Sequence, residues 1–143
     1  MSSSKVNAEF IAEAQEIVDA LNSDLITAEQ EAKSGEVPPD RINNLFRSAH
    51  SLKGISGMFG LDDISRVAHA LESVLDGMRL GRVPVDASSL DVLFACVERF
   101  ALLIAGAAEG DDSGVLGLDE LIARLGQVAA GQLGVDHGPG DGD

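Results

Sequence analysis

Apolar residues recur at three- and four-residue spacing along almost the whole chain, in five blocks set off by glycine, proline and aspartate. Successive helical residues turn by ~100°, so each block gathers its apolar side chains onto one stripe. Alternating runs of β-branched and aromatic residues, the mark of strands, are missing; the aromatic residues are five Phe with no Trp or Tyr. A chain of 143 residues has room for one core. The stripes can be buried only against one another. The predicted fold is therefore all-α: an antiparallel four-helix bundle with an additional fifth C-terminal helix.

The first block covers about Val6 to Lys33, with Phe10, Ala14, Val18, Leu21, Leu25 and Ala28 among its inward positions. It ends near Ser34-Gly35, and Pro38-Pro39-Asp40 restart the chain. The second runs from about Asp40 to Phe59 through Ile42, Leu45, Phe46, Ala49 and Leu52. Gly60 closes it, and Asp62 and Asp63 read as caps of the third. That third helix, about Asp62 to Leu80, points Ile64, Val67, Ala68, Leu71, Leu75 and Met78 inward. A turn ending in a capping Asp86 leads to the fourth, about Ala87 to Ala108, with Leu90, Leu93, Phe94, Val97, Phe100, Leu102 and Ile104 inward. After a loop from Gly110 to Gly114, a short fifth helix spans about Val115 to Ala130. Met58 and Met78 read as core filler. The expected division is a bundle domain at 1–130 and a flexible, acidic, glycine-rich tail at 131–143 that carries an inert His137.

The net charge of −14 argues against nucleic acid or an anionic membrane surface as partner, since both demand clustered Lys and Arg. Solubility is its plainest explanation. Six of the ten basic residues (Arg41, Arg47, Lys53, Arg66, Arg79, Arg82) nonetheless lie on or just after the second and third helices, a pattern suited to docking acidic sites. Cys96 has no partner for an intrachain disulfide and reads as a small apolar side chain in a reduced compartment. With no signal-like or membrane-spanning run, the expectation is a cytoplasmic, monomeric domain.

One segment carries glycines that a helix does not need. In Arg47-Ser48-Ala49-His50-Ser51-Leu52-Lys53-Gly54-Ile55-Ser56-Gly57, Gly54 and Gly57 follow His50 at one and two turns on its side of the helix. Each costs about 1 kcal/mol relative to alanine. Missing side chains leave the imidazole clear, as the approach of something bulky requires; a phosphoryl group and the protein that delivers or removes it fit. His50 falls at the edge of the second helix's stripe, and Glu72 at the edge of the third, flanked by Ser65, His69 and Asp76. Adjacent antiparallel helices can join those edges in one patch of His50, Lys53, His69 and Glu72. A nucleophilic imidazole must be free at the attacking nitrogen, so a carboxylate accepting from the other nitrogen sets the tautomer. Glu72 is the candidate for that task, Lys53 for meeting phosphoryl oxygens, and His69 for a further donor. The pair His69 and Glu72 also has the spacing of a bundle metal site, but few further ligands face inward and Lys53 would repel a cation.

These residues are recognisable together. Phe46 through Gly54, then Gly57-Met58-Phe59-Gly60-Leu61, then Ala68-His69-Ala70-Leu71-Glu72 closely resemble the histidine phosphotransfer (HPt, P1) domain of the CheA-type chemotaxis kinases. The resemblance covers about Val6 to Ala130, with its specific motifs on the second and third helices. It implies that His50 is the phosphorylated histidine, that Glu72 bonds its Nδ1, and that Lys53 and His69 belong to the same network. Gly54 matches the glycine after the lysine and Gly57 the next small position. Ile55 stands where family members often have a second glycine; by helical angle it points away from His50, which predicts an altered helix contact and retained chemistry.

The resemblance also implies partners: an ATP-binding kinase domain as donor, and CheY- or CheB-like receiver domains of response regulators as acceptors. No cofactor is expected in this chain; ATP and Mg²⁺ are expected on the kinase domain and Mg²⁺ on the regulator. With no glycine-rich nucleotide motif, the chain alone should not phosphorylate itself, and its two ends read as the first domain of a longer kinase. A free-standing phosphotransfer protein of a multistep relay and a helical adaptor with an incidental His50 are the alternatives.

Overall fold

In the computed structural model, which describes residues 2–131, the chain forms α1 (Ser2–Ser34), α2 (Pro39–Met58), α3 (Asp62–Arg79), α4 (Ala87–Glu109) and α5 (Leu118–Ala129). A one-turn 3₁₀ segment, Ser113–Val115, precedes α5. The tail from 132 onward, with His137, lies outside the described residues. No strand occurs among the described residues.

Helices α1 to α4 close a ring in which each packs on the next and α4 returns to α1; α5 lies against α3 and α4. The core is continuous through all five, from Phe10 and Leu21 on α1 to Leu45 and Leu52 on α2, Leu71 and Leu75 on α3, Phe100 on α4 and Leu125 on α5. This is the bundle that the apolar stripes predict. No described helix is long and apolar enough to cross a membrane.

The pairing of α2 with α3 positions the site, and three residues join these helices. Gly60 makes the turn in the left-handed region, at φ +74°, where an L side chain is strained. Leu61 N–H donates to Ser56 O at 2.9 Å, completing the end of α2. Phe59 then packs edge-on against Phe10 of α1, with ring centroids 5.4 Å apart. Arg41 bonds Asp24 at 2.8 Å and Glu31 at 3.1 Å, lashing the start of α2 to α1.

Several expectations need correction. Asp62 and Asp63 do not cap α3: Leu61 occupies the cap position without a side-chain bond, and the two aspartates stand in the first turn, where their charge still favours the helix dipole. Asp86 does cap α4, in a reciprocal box with Ser89. Met58 is 78% exposed, because the inward phase of α2 passes through Leu52 and Ser56 and leaves position 58 outside. Leu102 is 55% exposed and Leu103 is buried in its place, keeping the phase of Cys96 and Phe100. The fifth helix starts three residues later than expected, after Gly117 at φ +71°. Met78 and Cys96 are buried as predicted, and burial pushes the Cys96 thiol up to about 12.

Candidate functional site

His50 directly follows the fully buried Ala49 on α2. One step of ~100° carries its ring from the core to the rim of the α2–α3 seam. On α3, Glu72 follows the buried Leu71 in the same way. The two rims meet: His50 Nδ1 and Glu72 Oε2 share a hydrogen bond. Lys53, nearly one turn beyond His50, donates from Nζ to Glu72 Oε1 at 2.8 Å. Each carboxylate oxygen therefore has its own partner. The His50 side chain is 64% exposed, while that of Glu72 is only 12% exposed. The ring is open to an incoming molecule and its anchor is shielded.

Burial opposes ionisation of Glu72, but the hydrogen bonds from Lys53 and then His50 outweigh it and hold the carboxyl below the usual carboxylate range. An ionised carboxylate can only accept. The proton of the shared bond therefore belongs to His50 Nδ1, and in the neutral ring Nε2 keeps its lone pair. A carboxyl depressed in the folded state contributes stability that is fully present above its unfolded value, near 4.5, and is lost as pH falls through the folded value. Glu72→Gln should thus be less stable than the parent by about 1 kcal/mol at pH 7. Urea unfolding of both proteins across pH should show the gap closing below about pH 4; a gap unchanged at acid pH would show that ionised Glu72 is not its source.

The structure joins His50, Lys53 and Glu72 by hydrogen bonds that do not include His69. Three residues before Glu72, His69 diverges from it by ~60° around the helix axis and stands exposed. Among the described residues its ring enters no hydrogen bond or ion pair; its carbonyl accepts from Ser73 Oγ at 3.3 Å. Lys53, read from sequence as a contact for phosphoryl oxygens, is engaged by Glu72 in this structure. Asp76 bonds Arg79 at 2.8 Å and has no part in the network. Ser65 lies under α2, with Oγ 3.5 Å from Lys53 O.

A Cβ built at Gly54 would meet nothing within 4 Å, and one at Gly57 would meet only Ser65 Oγ at 4.0 Å, ordinary contact. Neither glycine has a positive φ. Packing within the chain does not require either of them. Ile55 turns away from His50 and is partly buried against the core, beside Glu9, Glu13 and Glu16 of α1, as its helical angle predicts.

One neighbour of the imidazole went unread in the sequence. Phe46, one turn before His50, lies nearly parallel to it, with centroids 6.2 Å apart and planes 7° apart. The guanidinium of Arg79 stands 4.3 Å from the centre of the Phe46 ring. The i, i+4 spacing of Phe46 and His50 was the available signal. The basic residues singled out for docking are partly committed inside the domain: Arg41 to α1, Arg66 to Asp119 and Asp63, Arg79 to Asp76. Among the described residues Arg47 bonds only Asn44, at 3.3 Å. No group of three or more His, Cys, Asp and Glu side chains suited to a metal ion occurs among the described residues.

Known proteins are similar to this chain in sequence and fold. The chain is 34% identical to the chemotaxis protein CheA of Cereibacter sphaeroides over 129 residues, 90% of this chain and 19% of that protein. CheA of Listeria monocytogenes is 31% identical over 81% of this chain and 18% of its own length, and CheA of Bacillus subtilis 31% over 81% and 16%. The chain thus spans about a fifth of the curated relatives it matches. Among solved structures, the phosphorylated P1 domain of CheA3 from R. sphaeroides, determined in complex with CheY6, superposes with a TM-score of 0.74 at 25% identity, covering 89% of this chain and 97% of that one. The Hpt domain family model matches residues 6–130. That match takes in both helices that meet at His50 and Glu72 and all three that support them, and so the chain belongs to the Hpt domain family.

Proposed function

We propose that residues 1–130 form a phosphotransfer unit in which His50 accepts a phosphoryl group from an ATP-bound histidine kinase domain and passes it to an aspartate of a response regulator, as the P1 domain of a CheA-type chemotaxis kinase. The observation that carries this reading is the hydrogen bond of His50 Nδ1 to a shielded, ionised Glu72 while the rest of the ring faces solvent. In the accepting step the Nε2 lone pair forms an N–P bond as the P–O bond to ADP breaks. The ring becomes cationic with its proton still on Nδ1, and Glu72 stabilises that charge. In the second step a carboxylate oxygen of the regulator attacks phosphorus, the N–P bond breaks, and its electron pair returns to Nε2. On this reading Lys53 neutralises the arriving phosphoryl oxygens from beside Glu72, and His69, exposed on α3, adds a donor to them on arrival.

ATP and Mg²⁺ belong, on this reading, to the kinase domain, and Mg²⁺ to the receiver. The similarity to a P1 domain solved in complex with CheY6 supports a receiver domain as acceptor. A cytoplasmic setting follows from that exchange. Incubation with the matching kinase domain and ATP should give an acid-labile, base-stable phosphate that a receiver domain then drains. Absence of label would defeat the reading.

Gly54 and Gly57 give the partner its approach. Gly54→Ala should raise helix stability by about 1 kcal/mol, since nothing in the chain opposes the new Cβ. A bulkier Gly54→Leu should fold yet slow labelling by the kinase domain roughly tenfold. A Gly54→Leu variant labelled at the parent rate would show that no partner comes close there.

A further inference from the structure

The hydrogen bond to Glu72 fixes one atom of the imidazole and leaves one freedom. A ring tethered through Cβ and hydrogen-bonded at Nδ1 can still tilt by small concerted changes of χ1 and χ2, swinging Nε2 through an arc. Two facts remove this freedom. The Phe46 ring lies 7° from parallel to the imidazole at 6.2 Å between centroids, within the range of offset aromatic stacking. Phe46 is itself held, because the Arg79 guanidinium sits 4.3 Å from its ring centre and Arg79 is anchored to Asp76 at 2.8 Å. Cation–π attraction of this kind is favourable even at partly exposed sites. An aromatic face packs against a neutral imidazole and attracts a cationic one, so it can serve the free and the phosphorylated ring alike.

We propose that Phe46 is a positioning residue for phosphotransfer, setting the plane of the His50 ring and hence the direction of Nε2, and that Arg79 holds Phe46 in place. The inference rests on His50 being the phosphoacceptor. A reacting nitrogen aimed correctly converts docking into a productive encounter, and small misalignments lower the rate within the complex more than they weaken the complex. Tight docking with poor aim shows in kcat and not in KM.

Phe46→Leu keeps apolar volume and removes the flat face; Phe46→Tyr restores the face. With the matching kinase domain and ATP, Phe46→Leu should lower kcat roughly tenfold at unchanged KM, and Tyr should recover most of it. The NMR resonances of the His50 carbon-bound ring protons should move downfield in the Leu variant as aromatic shielding is lost, and return with Tyr. Arg79→Ala, a change at an exposed side chain, should shift both readouts in the same direction by a smaller amount, and it carries the test if the Leu variant does not fold. Parent-like kcat in Phe46→Leu, a loss that Tyr does not restore, or a change in KM alone would overturn the proposal while leaving phosphotransfer intact. An unlabelled parent protein would overturn the phosphoacceptor reading itself and this inference with it.

Discussion

Substituting His50 with glutamine should abolish labelling by a kinase domain and ATP, to below roughly one-thousandth of the parent level, because no other group at this rim can take the place of a nucleophilic nitrogen. The fold should be unaffected. The ring is mostly exposed, and a glutamine amide can still donate to Glu72, so unfolding free energy should stay within about 0.5 kcal/mol of the parent. Filter-bound label after base treatment, measured beside a urea unfolding curve, checks both parts. Label that persists in a folded His50→Gln protein would move the acceptor elsewhere, with the exposed His69 the first place to look.

Truncating Glu72 to alanine should slow transfer by roughly 100-fold with the bundle retained. Two losses combine. The proton is no longer drawn to Nδ1, so the ring spends time as the tautomer whose Nε2 cannot attack. The charge that develops on the imidazole also loses its carboxylate, and this is the larger part because Glu72 is shielded from water. Lys53 would be left without its 2.8 Å partner, but its side chain reaches solvent. Single-turnover labelling separates the chemical step from docking. Equal rates for Glu72→Ala and the parent would mean that the carboxylate neither orients nor stabilises the ring.

Much of the site is legible in the sequence. A residue placed one step past the centre of an apolar stripe must sit at the seam with the next helix, and His50 and Glu72 both occupy that position. The glycines at 54 and 57 were conspicuous because a helix has no use for them, and the open space around Gly54 agrees. The same periodicity misplaced Leu102, whose neighbour Leu103 holds the phase, and Met58, which lies across α2 from Leu52. The fate of Lys53 was hidden, because a long flexible stem allows one position several destinations. So was the absence of the His69 ring from the hydrogen bonds around Glu72, three residues away on the same helix.

What the sequence by itself determined was the set of helices, their order and most of the stripe each one buries, since propensity and hydrophobic burial act along a single chain segment. The tertiary structure alone decided which rim groups touch. Periodicity defines an angle about one helix axis and says nothing of how far α2 slides along α3, or how the two rotate against each other. That relative setting places two donors on the two oxygens of Glu72, brings Arg79 of α3 over Phe46 of α2, and leaves the His69 ring exposed to solvent. Contacts between helices arise from packing the whole core at once, and no local pattern encodes them.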